Sequence, residues 1–169
     1  ANNHVDTFLD HGVEHLWTYY CCGQGEDVSN RFMAMPSARN RILGAQLFKY
    51  HIEGFLQWGY NFWYSMLYKR PIDPYAETGA EDAFPAGDAF LVYPGPDGEP
   101  VPSIRQLVFH EGLQDLRALQ LLEQKLPHEA IVALLEQDGA VKFKEYPRTS
   151  QAVLAMRERV NRKIQELWG

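Results

Sequence analysis

Residues 54–64, Gly-Phe-Leu-Gln-Trp-Gly-Tyr-Asn-Phe-Trp-Tyr, constrain this chain more than any other stretch. The run is short, apolar and dense in rings, as a buried strand is. Gly59 interrupts it, however, and Gln57 and Asn61 stand among the rings. A strand that serves only a core has no use for that mixture. A strand whose far end presents rings and amides to a ligand does. Rings at alternating positions also suit plain core packing, so both readings stand at this point.

The segments around it read as scaffold. Residues 4–13 carry apolar marks at Val5, Phe8, Leu9 and Val13 and predict a short helix ending near Gly12. Residues 16–22, Leu-Trp-Thr-Tyr-Tyr-Cys-Cys, are rich in β-formers and predict a buried strand, followed by a loop over 23–35. Pro36 suits a first helical position, and Ala38, Ile42, Ala45 and Phe48 keep helical spacing to about Ile52. After the aromatic run, residues 66–88 are irregular, with Pro71, Pro74, Gly79, Pro85 and Gly87. Loops of that length are usually functional or mobile. Residues 89–93 predict a third buried strand, closed by the turn Pro94-Gly95-Pro96-Asp97-Gly98. Ser103 caps a long helix marked by Ile104, Leu107, Val108, Leu116, Leu119, Leu122 and Leu126, with Gly112 tolerated inside. Pro127 opens a short helix that Gly139 closes, and a last helix runs from about Ser150 to Trp168.

Strands separated by helices argue for parallel pairing with right-handed crossovers. The expected fold class is α/β: about three parallel strands, apolar because both faces are covered, with crossover helices and C-terminal helices. Three strands make a thin sheet with open edges. A net charge of −6 offers no general basic surface for a nucleic-acid backbone. No apolar run approaches the ~20 residues that span a bilayer. The adjacent Cys21 and Cys22 are expected to be two small buried residues, not a disulfide framework or a zinc site. The compartment stays open. The start Ala1-Asn2-Asn3 carries no initiator Met, so the chain is expected to be part of something longer.

In βα architectures the loops leaving the C-terminal ends of strands build the site. The residues leading into them here are Tyr19, Tyr20, Trp58, Tyr60, Asn61, Trp63, Tyr64 and Tyr93. Sugar rings stack on aromatic faces and need directed partners for their hydroxyls, which fits Trp and Tyr beside Asn and Gln. Glycoside hydrolysis further needs carboxylates. Glu26-Asp27 and Glu81-Asp82 lie in loops and read as solvated, while Glu111 and Asp115 share a helix face and read as a clamp on neighbouring helices. His110-Glu111 lacks the second His of a zinc-protease helix, and His4, His11 and His15 read as exposed. No phosphate-cradling glycine pattern, serine elbow or cofactor motif is present, and no catalytic or metal-ligating residue is assigned.

Four motifs in order carry a resemblance. They are His15-Leu16-Trp17-Thr18-Tyr19-Tyr20-Cys21-Cys22, the run Gly54-Phe55-Leu56-Gln57-Trp58-Gly59-Tyr60-Asn61-Phe62-Trp63, the run Gly87-Asp88-Ala89-Phe90-Leu91-Val92-Tyr93-Pro94-Gly95, and Pro102-Ser103-Ile104-Arg105 leading to Glu111-Gly112-Leu113-Gln114-Asp115. Together they resemble the DUF4091 domain, the C-terminal catalytic-domain segment of proteins related to glycoside hydrolase family 123. The resemblance implies the last βα units of a TIM-like (β/α)8 barrel over residues 1–126, with 127–169 a helical extension packed on it. It further implies a retaining, substrate-assisted β-N-acetylhexosaminidase chemistry, in which an Asp-Glu pair orients the N-acetyl group and supplies the acid. This chain contains no Asp-Glu dipeptide. On the resemblance, Trp58, Tyr60, Asn61 and Trp63 form the aromatic wall of the sugar site; the strand-end reading adds Tyr19 and Tyr93 as substrate-binding residues. The implied partners are an N-acetylhexosamine-containing glycan and either the upstream part of the same barrel or a second copy, with neither nucleic acid nor membrane. A non-catalytic carbohydrate-binding or self-associating α/β module is the alternative.

Overall fold

The structure, a computed structural model, describes residues 2–169. Two short strands, β1 (Trp17–Tyr19) and β2 (Gly54–Leu56), pair in parallel in the register Trp17↔Gly54, Thr18↔Phe55, Tyr19↔Leu56. Between them lie α2 (Ala38–Arg41) and α3 (Leu43–Lys49), the kind of crossover a parallel pair requires. A short helix, α1 (Val5–Asp10), precedes β1, and Gly12 then turns the chain at φ +63°.

The pair is covered on one face only, which corrects the expectation of strands buried on both. Thr18 is buried, and Phe55 beside it packs edge-on to Tyr20 (5.4 Å) and against Phe109 (5.7 Å). On the other face Trp17 is 60% exposed and Leu56 53% exposed, with Tyr19 also open. Gly54 is required here because the Trp17 indole lies across it: a Cβ would sit 2.2 Å from Trp17 Cδ2.

Residues 89–93 do not add a third parallel strand. Instead β3 (Val92–Pro94) pairs antiparallel with β4 (Pro100–Pro102). The turn between them returns the chain at once, with Gly98 at φ +80° and Gly95 N–H donating to Glu99 O (2.8 Å). So direct a return permits a hairpin, whereas a parallel partner needs a long crossover.

The aromatic run is likewise not one strand. Parallel pairing stops at Leu56, and residues 60–62 run antiparallel to 89–92. Tyr60 O accepts from Leu91 N (2.8 Å), and Phe62 N donates to Ala89 O (3.1 Å). Gly59 makes this possible: a Cβ there would lie 2.2 Å from Asp88 O.

The helices follow the sequence closely. α4 (Ile104–Glu123) starts where expected, with Ser103 Oγ accepting from Gln106 N–H (3.3 Å). α5 (His128–Leu135) and α6 (Ser150–Trp168) complete the set, and Gly139 terminates the turn after α5 at φ +138°. Ile42, Ala45 and Phe48 from α2–α3, Leu119 and Leu122 from α4, Ile131 and Leu135 from α5, and Met156 and Val160 from α6 form one core. α3 and α4 meet at a glycine pair, since a Cβ on Gly44 would stand 1.8 Å from Gly112 O. Gly112 is therefore a contact, not merely a tolerated residue. Ile104 and Leu107 are exposed, and Arg105 holds the buried position in that part of α4. Among the described residues no helix is long and apolar enough to cross a membrane.

Candidate functional site

Beyond β1 and β2 the chain leaves the sheet toward the same region. After Tyr20 it enters a 3-10 turn, Cys22–Gln24, fixed by Cys21 N–H donating to Gln24 Oε1 (2.9 Å). The turn leaves Cys21 half-buried and Cys22 exposed, which corrects the expectation that both are buried; neither is in a disulfide.

The loop that follows is held firmly. Arg39 donates through Nε and Nη2 to the Tyr146 hydroxyl (3.1 and 2.6 Å) and through Nη2 to the carbonyls of Glu26 and Val28. Asn30 Nδ2 donates to the carbonyls of Cys21 (2.9 Å) and Gly25 (3.1 Å). Glu26 and Asp27 point outward, as do Glu81 and Asp82, so both acidic pairs are exposed. Asp27 lies 3.6 Å from Lys144, and Glu81 pairs with Arg70.

Among the described residues the buried carboxylate is Asp88. Its Oδ2 accepts from Cys22 N–H (3.1 Å), which ties the end of β1 to the start of the returning segment. Burial raises its pKa above the ordinary carboxylate value, although the Cys22 N–H, the Trp58 indole and the charges of Arg31 and Arg105 pull the other way. The Trp58 N–H faces this carboxylate without reaching hydrogen-bond geometry. Arg105 Nη1 donates to Arg31 O (2.9 Å) and Gly87 O (2.6 Å). The Arg31 guanidinium lies against the rings of Phe55 (4.7 Å), Tyr20 and Phe109, and burial lowers its pKa to about 10. Arg31 Nε and Nη1 and Arg105 Nη2 have no protein partner, so this polar floor has donors to spare for ordered water.

Above the floor the rings gather. Trp58 packs on Phe84 (5.1 Å) and Phe62 (6.1 Å), Phe62 on Tyr68 (4.9 Å) and Tyr64 (6.0 Å), and Tyr64 on Tyr68 (5.1 Å). Tyr64 and Tyr68 are exposed, so the cluster runs from a half-buried Trp58 outward to open rings. Leu67 and Tyr68 hold left-handed backbone angles, φ +64° and +57°, in a turn tied by the pairing of Tyr64 with Pro71.

The six residues singled out from sequence do not form one ring stack. Trp58 belongs to the cluster just described. Asn61 is exposed at its bridge to Phe90. Trp63 turns toward the hairpin, its Nε1 donating to Val92 O (3.0 Å). Tyr93 stacks on Tyr75 (4.8 Å) and meets Phe90 edge-on (5.2 Å). Tyr60 is exposed beside Val92, Pro100, Pro102, Gln106, Leu107 and His110. Tyr19 is exposed on the open sheet face, its carbonyl accepting from Asn2 Nδ2 (3.2 Å). Asp88, Phe62, Phe84 and Tyr68 were not singled out. Asp88 follows Gly87 at a loop end like any solvated acid, and only the fold reveals its burial.

Fold and site together define an α/β protein with a ring-lined, amide-bearing surface over a buried carboxylate, where its two parallel strands end. Residues 1–122 match the model of the glycoside hydrolase 123 catalytic domain, and the chain belongs to that family. No curated protein matches the chain significantly.

Proposed function

We propose that this chain supplies the aromatic wall of the sugar site in a retaining, substrate-assisted β-N-acetylhexosaminidase, as the DUF4091-like C-terminal segment of a (β/α)8 barrel. The observation that carries the reading is Trp58. It stands at the exit of β2, backed by Phe62 and Phe84, with open Tyr rings beyond it and exposed Asn61 nearby. Membership of a glycoside hydrolase family supports a sugar as what such a wall would meet. Trp58, Tyr60, Asn61, Trp63, Tyr19 and Tyr93 are recognition residues in this account. The reactive Asp-Glu pair comes from outside this chain, which has no such dipeptide.

The open sheet face supports the barrel placement. Trp17 and Leu56 stand open to solvent on it, and exposed apolar faces beside unpaired strand edges ask for a partner. The upstream barrel strands are that partner. The same face also favours a second reading, a self-associating carbohydrate-binding module, in which another copy covers it.

An aryl β-N-acetylgalactosaminide offered to this chain alone should release no aryl alcohol, and measurable turnover would refute the assignment of chemistry elsewhere. Light scattering across a concentration series separates the two readings of the sheet face. Dimerisation favours the module, and a monomer at all concentrations favours the barrel.

A further inference from the structure

At the other end of β2, side chains from the ends of three helices converge. His51 lies two residues beyond α3, Glu123 ends α4 and His128 begins α5. One ligand atom from each falls within 4.8 Å of the others. We propose that His51, Glu123 and His128 form a structural site for a divalent cation of the zinc type.

The hydrogen bonding of His128 is the core of the argument. Its Nε2 lies 3.2 Å from Lys49 O, and its Nδ1 lies 2.9 Å from Glu123 Oε1. Both neighbours are acceptors, while a neutral imidazole has one N–H to give. With that hydrogen on Nε2 and donated to Lys49 O, the Nδ1 lone pair and a Glu123 carboxylate oxygen stand side by side as two donors that one cation could share. A cation can take the place of the proton that otherwise joins them, once the pair opens from 2.9 Å to the donor spacing of a metal. An N–H of the second nitrogen bound to a backbone carbonyl is also the support that orients metal-bound imidazoles.

His51 supplies the third donor. Its ring stacks on His128 at 3.9 Å, and Phe48 closes the opposite face at 4.7 Å, so the His128 ring is held between them. The His51 backbone sits at φ +50°, an uncommon choice for a residue that is not glycine. That turn carries the side chain back over α5. Tetrahedral zinc with bonds of ~2.0–2.1 Å places donors roughly 3.4 Å apart, so the 2.9 Å His128–Glu123 pair must open slightly while His51 swings from above the ring to beside it. His51 and Glu123 are both exposed, which leaves them room to do so. The site opens onto a groove lined by Leu47, Ile52, Leu116 and Gln120, where water can complete the coordination.

Its position assigns its role. The site lies before β2, whereas Trp58 and Asp88 lie after it, and the N-terminal end of such strands serves stability. A cation here ties the ends of α3, α4 and α5 together and leaves the ring cluster untouched.

The test is calorimetric titration of the chain with zinc chloride, paired with thermal unfolding. One zinc per chain should bind saturably and raise the Tm. His51→Asn, which keeps a left-handed backbone accessible, and Glu123→Gln should each weaken binding about tenfold or more and remove the rise in Tm. Both positions are exposed, so the variants keep the fold, and circular dichroism of each confirms it. Magnesium, which prefers oxygen ligands, should leave the Tm unchanged. Absence of saturable zinc uptake, or uptake equal in wild type and both variants, overturns the proposal and leaves His128 and Glu123 as an ion pair.

Discussion

Asp88 and Gly44 show how much a single position can decide in this protein. Burial raises the Asp88 pKa despite the opposing pull of Cys22, Trp58, Arg31 and Arg105. The folded chain then keeps this proton to a higher pH than the unfolded chain does. Its contribution to stability is therefore greatest below about pH 4 and falls as pH rises toward the folded pKa. Asp88→Asn removes that dependence, so the urea midpoint of the variant relative to wild type should climb from about pH 4 upward and then level off. A variant midpoint that falls relative to wild type as pH rises would contradict the assignment. Gly44 tests packing. Helix propensity favours Ala over Gly by about 1 kcal/mol, but a Cβ at Gly44 would stand 1.8 Å from Gly112 O. The clash wins, and Gly44→Ala should cost at least ~1–3 kcal/mol of unfolding free energy. An unchanged denaturation midpoint would show that the helices can separate cheaply.

The elements were legible in proportion to how local their causes are. α4 and α6 could be read from spacing and caps, because Ser103 and the row Val153, Met156, Val160 act within their own helix. The strands were less legible. Whether residues 89–93 pair in parallel or fold into a hairpin depends on what the Pro94–Gly98 turn does and on which backbone approaches Gly59. Neither shows in apolar runs. The same limit hid Asp88 and the convergence of His51 with His128, which are contacts across the fold. Asp115 on α4 was legible as a clamp, and it grips two helices at once. Arg41 Nε and Nη2 donate to its two oxygens (2.7 and 2.9 Å), and Arg157 Nη1 donates to Oδ1 (2.7 Å). Asp115→Ala leaves Arg41 only its 3.6 Å pairing with Glu111 and Arg157 only its bond to Asn161 Oδ1, and should cost about 2–3 kcal/mol, read as a lower urea midpoint. A loss below ~0.5 kcal/mol would mean the cluster behaves as an exposed ion pair.

At the scale of the whole molecule, the helical core and the ring cluster lie apart. α3, α4, α5 and α6 share a core on one side of the two-stranded sheet, and the ring-lined loops lie at the ends of its strands. Residues 1–122 match the glycoside hydrolase 123 catalytic domain, and the proposed sugar-facing wall lies within them. The chain's 4 tryptophans make that claim directly measurable, because each indole N–H gives its own NMR signal. Trp17 is on the open sheet face and Trp168 ends α6, while Trp58 and Trp63 follow β2. In a titration with N-acetylgalactosamine at millimolar concentration, the Trp58 signal should shift most, with Trp63 following and Trp17 and Trp168 unmoved. A Trp58 signal that stays fixed while the sugar is raised, or a shift confined to Trp17 or Trp168, would contradict the account.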